Sequence, residues 1–330
     1  MIARLLCLSM LCTLLTAEVT TPDALVAKGL AALERLQQED GSFGRGTGVT
    51  ALAGMAFLAG GHTPTRGAYR NASAKCLQSV LAGQDPVNGY LGDDSGNMYA
   101  HGFATLYLAE CYGMTGERKV RVAMEAALDL IFRAQNDEGG WRYTPFPNEA
   151  DISVTICQVM AIRAAYNVGV GGDRAQEVMR KAVEYVRACA NPDGSFNYQA
   201  RGGSFGREGY RGVPRASAGA MCLIGAGITD PRDPVLGPAL GFVRKHVPAH
   251  LRSGGDWYWY GQYYASQLMF HSPDQSDWET YWNVAWPVIA EYQDANGYWS
   301  RPDGYGPAFG TAMALIILQI PNNYLPIFQR

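Results

Sequence analysis

The stretch QNDEGGW at residues 135–141 recurs with variations five more times, as QQEDGSF at 37–43, QDPVNGYL at 84–91, NPDGSF at 191–196, SGGDW at 253–257 and QDANGYW at 293–299. With Gly41, Gly89, Gly140, Gly194, Gly255 and Gly297 as markers the spacings are 48, 51, 54, 61 and 42 residues, the range of a two-helix repeat. Each phrase suits a stop between helices. Glycine beside Asp or Asn takes the left-handed conformation that residues with a β-carbon avoid, and the aromatic that follows folds back on the helix just completed.

Two helix-length segments lie in each repeat. The first of each pair is amphipathic, as at 24–38, 118–135 (RKVRVAMEAALDLIFRAQ) and 173–190 (DRAQEVMRKAVEYVRACA), with apolar residues three and four apart and charges opposite. The second is nearly free of charge and rich in small residues, at 49–59, 102–110, 154–165, 216–226, 257–270 and 307–318. A helix apolar all round is buried on all sides, so these form an inner ring and the amphipathic set an outer one. A small hydroxyl recurs early in four inner helices, at Thr50, Thr155, Ser217 and Thr311, which sets those helices parallel with their first turns gathered at one end. The expected fold is all-α: an α6/α6 toroid of six helical hairpins around a central cavity that opens at that end. The apolar segment at 316–328 is expected to close the ring beside the first hairpin.

Before the repeats, Met1, Ile2, Ala3 and Arg4 lead into an apolar run at 5–15 and then Thr16 and Ala17. One positive charge, an apolar stretch too short to span a bilayer and a small residue form the pattern of a secretory signal peptide cleaved after Ala17. A secreted or periplasmic protein, with residues 18–330 as one domain, is the expectation. The formal charge of −3 and scattered Lys and Arg give no footprint for nucleic acid, and no later stretch reads as a membrane helix. Five cysteines follow the signal: Cys76, Cys111, Cys157, Cys189 and Cys222. Their odd number and irregular spacing make no disulfide framework, although one bridge among Cys76, Cys111 and Cys189 is left open. No metal site and no cofactor is expected.

The Gly-aromatic loops, with DISVTICQVMAIRAA at 151–165 and YWYGQYYASQ at 258–267, resemble the prenyltransferase and squalene oxidase repeat family over essentially the whole mature chain. That resemblance implies the toroid shared with terpene cyclases and protein prenyltransferase β subunits. It does not carry their chemistry across. The DxDD acid motif of squalene-type cyclases has no match, since Asp274 and Asp277 flank Gln275 and Ser276; no Asp-x-Cys is present for zinc; and Cys76 is followed by Leu, Gln and Ser rather than by a thioester sequence.

Candidate site residues come from the expected mouth. Asp151 starts the third inner helix, where it serves either as an N-cap or as an acid and proton donor. His101 starts the second and offers a base or acid near neutrality. Trp257, Tyr258 and Tyr260 belong to an aromatic run suited to stacking on a sugar or a polyene. Arg207, Arg211 and Arg215 sit in a Gly-rich stretch suited to a carboxylate or phosphate, or to a lid, and Arg215 is the one taken for ligand binding. His246 and His250 have ligand-like spacing, but Pro248 lies between them and they read as structural. Two functions follow from these readings. One is an enzyme acting on a terpenoid or a glycan, with Asp151 and His101 catalytic and Trp257, Tyr258, Tyr260 and Arg215 binding. The other is a non-catalytic scaffold of the cell envelope that holds a small molecule, a glycan or a protein.

Overall fold

The computed structural model describes residues 20–44, 46–92, 97–200, 209–255, 257–302 and 304–329. Among them are twelve α-helices and short 3-10 turns. The inner helices are α2 (Thr47–Ala59), α4 (Met98–Thr115), α6 (Ile152–Asn167), α8 (Val213–Gly225), α10 (Tyr258–His271) and α12 (Pro307–Leu318). The outer ones are α1 (Pro22–Leu36), α3 (Arg70–Ala82), α5 (Arg118–Ala134), α7 (Gly172–Cys189), α9 (Leu236–Ser253) and α11 (Gln275–Glu291). Each inner helix packs on the next and α12 packs on α2, so the ring closes. The chain is an α/α toroid.

Closure is held by directed bonds as well as by packing. Gln319 Nε2 donates to the Ala56 carbonyl at 3.0 Å, joining the end of α12 to α2, and Gln293 Nε2 donates to the Leu25 carbonyl of α1 at 3.0 Å. The second bond belongs to a repeated device. Gln37, Gln84 and Gln135 likewise donate to the Ala72, Ala123 and Val178 carbonyls at 2.9, 2.8 and 2.8 Å, each on the outer helix one repeat further on. Each of these glutamines also holds the carbonyl of its own phrase glycine. At Gly139, φ is +96° and an added β-carbon would overlap the Lys181 carbonyl, so only glycine lets the loop press on α7. In the third phrase the left-handed residue is therefore Gly139 and not Gly140, and in the fifth it is Gly254 and not Gly255.

Because the phrases staple forward, each inner helix packs chiefly on the outer helix that follows it. The packing pairs are thus α2 with α3 through α12 with α1, shifted by one helix from the hairpins read across the phrases. Three of the four recurring hydroxyls latch the same loops. The backbone N–H groups of Phe43, Trp141 and Trp299 donate to the Oγ1 atoms of Thr50, Thr155 and Thr311 at 3.3, 3.2 and 3.0 Å. Trp141 and Trp299 also turn their indole N–H groups back to the Ile131 and Ile289 carbonyls of the helices just finished, both at 2.8 Å.

The tail departs from the expected place beside the first hairpin. After α12 the chain crosses the far end of the barrel, where Pro326–Phe328 packs against α6 and α4 with Leu325, Ile327 and Phe328 buried. All five cysteines are buried free thiols, so the bridge left open among Cys76, Cys111 and Cys189 is absent. No described helix is long and apolar enough to cross a membrane.

Candidate functional site

Among the described residues, the chain's own side chains cross the axis of the ring, where a central cavity was expected. Tyrosines of α10 reach across to α4 and α6. The Tyr263 ring meets Phe103 edge-on at 5.8 Å, the Tyr264 hydroxyl pairs with Cys157 Sγ at 3.3 Å, and the Tyr260 hydroxyl donates to the Ser153 carbonyl at 3.1 Å. Tyr263 and Tyr264 are 1% exposed or less and Tyr260 is 9% exposed, so these three rings pack closely against their neighbours there. Cavities of about 180 and 270 Å³ lie elsewhere, one between α9 and α11 and one beside the third phrase loop.

At the end where the inner helices begin, Asp151 caps α6. Its Oδ1 accepts from the backbone N–H groups of Ser153 and Val154, both at 2.9 Å, and its Oδ2 accepts from Arg142 Nη1 at 3.0 Å. Burial pushes this carboxyl above its ordinary range, while those donors and the Tyr198 hydroxyl that faces it work against the rise. Arg142 in turn lies over the rings of Tyr143 and Tyr198 at 4.4 and 5.3 Å, and those two phenols are hydrogen bonded to each other. Tyr99 of α4 joins the group, 6.1 Å from Tyr143 and 6.3 Å from Tyr260. Both carboxylate oxygens of Asp151 are engaged in holding this cluster.

His101 is not brought to Asp151. Its Nδ1 accepts from the Leu91 N–H and its Nε2 meets the Ala127 carbonyl, both at 3.1 Å, which places the proton on Nε2. It stands where threonine latches the other phrase loops. Burial lowers it to about 4, so it is neutral at pH 7 and has no free nitrogen for proton transfer. His250 pairs Nδ1 with Gln262 Nε2 at 2.6 Å, and His246 packs on the Phe242 ring.

The aromatic run divides in two. Tyr258 and Tyr260 point into the protein, whereas Trp257 is 54% exposed and its indole stands 6.0 Å from the ring of Tyr305, which is 41% exposed. Trp257 has φ +61° and ψ +29°, a left-handed conformation that a bulky side chain adopts at a cost. Tyr143 and Phe146 are exposed at the same end, so among the described residues four of the six exposed aromatic residues gather on the mouth rim. Arg211 is exposed, Arg215 is half-buried in the first turn of α8, and Arg207 lies outside the described residues.

The sequence profile of the prenyltransferase alpha-alpha toroid domain matches residues 65–236. The chain belongs to that family. The drimenyl diphosphate synthase of Streptantibioticus cattleyicolor is 32% identical over 142 residues, 41% of this chain and 26% of that enzyme, so the match spans about a quarter of the relative's length. Among solved toroids, the type II terpene cyclase MstE from Scytonema is similar with a TM-score of 0.62 at 14% identity, covering 92% of this chain and 99% of that one. The GH76A alpha-1,6-mannanase from Salegentibacter sp. HEL1_6 is similar at 0.67 and 10% identity, covering 92% and 100%. The cellobiose 2-epimerase from Spirochaeta thermophila is similar at 0.66 and 13% identity, covering 90% and 95%. At such identities the likeness shows the toroid fold alone.

Several residues of this toroid's mouth were not singled out from sequence. Arg142 and Tyr143 follow the third phrase directly and Tyr198 follows the fourth, so the loop continuing from each phrase was the signal available. Tyr305 precedes α12 as Trp257 precedes α10, a positional match that the repeat alignment contains.

Proposed function

We propose that this toroid binds a ligand at its mouth rim without transforming it, and that the ligand is an oligosaccharide. One observation carries the reading: Trp257 is held in a strained left-handed backbone with its indole in solvent, beside the exposed ring of Tyr305. Burial drives aromatic rings inward, so a fold that spends backbone strain to keep one outside is paired with a use for its face. Two tilted exposed rings suit the apolar face of a pyranose, which offers C–H groups to a π-surface while its hydroxyls stay hydrated.

A bound molecule is compatible with this fold, since a variant of the mannanase was solved with alpha-1,6-mannotetrose. Cyclisation of a polyene is not part of the proposal, because tyrosine rings fill the axis and Asp151 and His101 are committed to the fold. Residues 1–17, which lie outside the described residues, carry the export pattern, and a secreted or periplasmic location is proposed on that ground. Glycans are met there, whereas polyprenyl substrates are made inside the cell.

The test is retention of the mature protein on immobilised neutral and acidic oligosaccharides, compared with Tyr305→Ala. Retention that the substitution weakens supports the reading; absence of retention on every saccharide removes it.

A further inference from the structure

Several guanidinium groups around the ring are matched to carboxylates. Arg142 pairs with Asp151, Arg187 with Asp233 and Arg244 with Asp277. Arg215 differs. Its Nε and Nη2 are shut away from water with no hydrogen-bond partner, and among the described residues no carboxylate pairs with it. An arginine keeps its charge under all ordinary conditions, so a shielded and unpaired guanidinium is a standing cost to the fold.

Its place gives that cost a use. Arg215 lies in the first turn of α8, whose N-cap Gly212 supplies no capping side chain, at the end of the barrel where Asp151 and Tyr260 also stand. The phenol of Tyr198 is the ionisable neighbour that acts on it, and Tyr198 is already tied to Tyr143 and faces Asp151. A planar, unpaired guanidinium with a neutral hydroxyl beside it suits an oxyanion, which supplies the acceptors that its shielded N–H groups lack.

We propose that Arg215 is the anion-recognition group of the mouth, taking the carboxylate or sulfate of an acidic oligosaccharide. This rests on the oligosaccharide reading for the rest of the ligand, though the anion site itself can be tested without it. Unlike a structural arginine, it lowers the stability of the empty protein and raises affinity only for ligands that carry an oxyanion.

The experiment uses the mature chain, Arg215→Met and Arg215→Lys. Thermal melts are recorded without ligand, with sodium sulfate against sodium chloride at equal ionic strength, and with a neutral oligosaccharide, an oligouronate and a sulfated oligosaccharide. The proposal expects Arg215→Met to melt at or above the wild type when empty. It also expects sulfate to raise the wild-type Tm and not that of Arg215→Met, and acidic oligosaccharides to bind the variant at least about tenfold more weakly with neutral ones unchanged. Arg215→Lys, which keeps the charge and loses the fork, falls between. Whether carboxylate or sulfate is the better ligand comes from the two acidic arms.

Should Arg215→Met melt lower than the wild type while both respond equally to sulfate and to acidic sugars, Arg215 is structural and the proposal is overturned. Arg215-dependent stabilisation by sulfate with no oligosaccharide binding keeps the anion site and removes the glycan reading. Binding of neutral oligosaccharides with no Arg215-dependent response to any anion does the reverse.

Discussion

The backbone N–H of Leu91 donates to Nδ1 of His101 at 3.1 Å, in the position where Thr50, Thr155 and Thr311 receive the N–H groups of Phe43, Trp141 and Trp299. This histidine is a longer latch for the second phrase loop, and its far nitrogen extends the bond to the Ala127 carbonyl of α5. Replacing it by alanine leaves a buried N–H and a buried carbonyl without partners. His101→Ala should therefore destabilise the fold by about 2–4 kcal/mol in denaturant melts while leaving ligand binding at the rim unchanged. Its pH signature has a definite sign. The ordinary value of 6.5 falls to about 4 in the fold, so the unfolded chain takes up a proton that the folded chain refuses, and the stability due to neutral His101 is lost as pH drops from 6.5 toward 4.

Asp151 and Arg142 test the reading of the third inner helix. Asp151→Asn keeps an oxygen for the Ser153 and Val154 N–H groups but removes the negative charge beside a cation, whereas Asp151→Ala removes both. The expected losses are about 1–2 kcal/mol for Asn and about 3–5 kcal/mol for Ala, measured by chemical denaturation. An Asp151→Asn protein with full stability and altered ligand binding would instead place this carboxylate in the site.

Glu110 near the end of α4 gives the opposite pH dependence. It is buried beneath the tail, where the Ile327 backbone N–H faces its carboxylate, and burial raises it from 4.5 to about 8. The folded chain holds a proton that the unfolded chain releases, so stability declines as pH rises from 4.5 to about 8, by at most about 1.4 kcal/mol per pH unit. Glu110→Gln should flatten this slope in urea melts taken across that range and should protect the C-terminal segment from carboxypeptidase above pH 8.

The toroid was legible in sequence because its repeat writes the same loop six times, and because outer and inner helices differ in charge pattern. Finer matters depend on facts a pattern does not hold. Whether Asp151 is acid or cap turned on Arg142, nine residues away and placed against it by the bridge between Trp141 and Asp151. The recurring hydroxyls marked the correct end of the barrel, yet the role of the three threonines as loop latches hid a histidine doing the same work. The aromatic run at α10 was read as the wall of a cavity, but three-dimensional closure let its tyrosines span the ring to Phe103, Ser153 and Cys157 and fill the space. Of that run, the residue left for a ligand is Trp257, set apart by a backbone conformation that no sequence pattern reveals.

The rim-binding claim is tested most directly by titrating oligosaccharides into the wild type and Trp257→Gly, with binding followed by calorimetry and stability by thermal melting. Glycine accepts the left-handed conformation that tryptophan strains to adopt, so the variant should be as stable as the wild type or more so, by up to about 1 kcal/mol. The account predicts saccharide affinity reduced at least about tenfold in this fully folded variant, the loss of roughly one stacking face. Unchanged affinity in Trp257→Gly, or a marked loss of stability with binding intact, would contradict it.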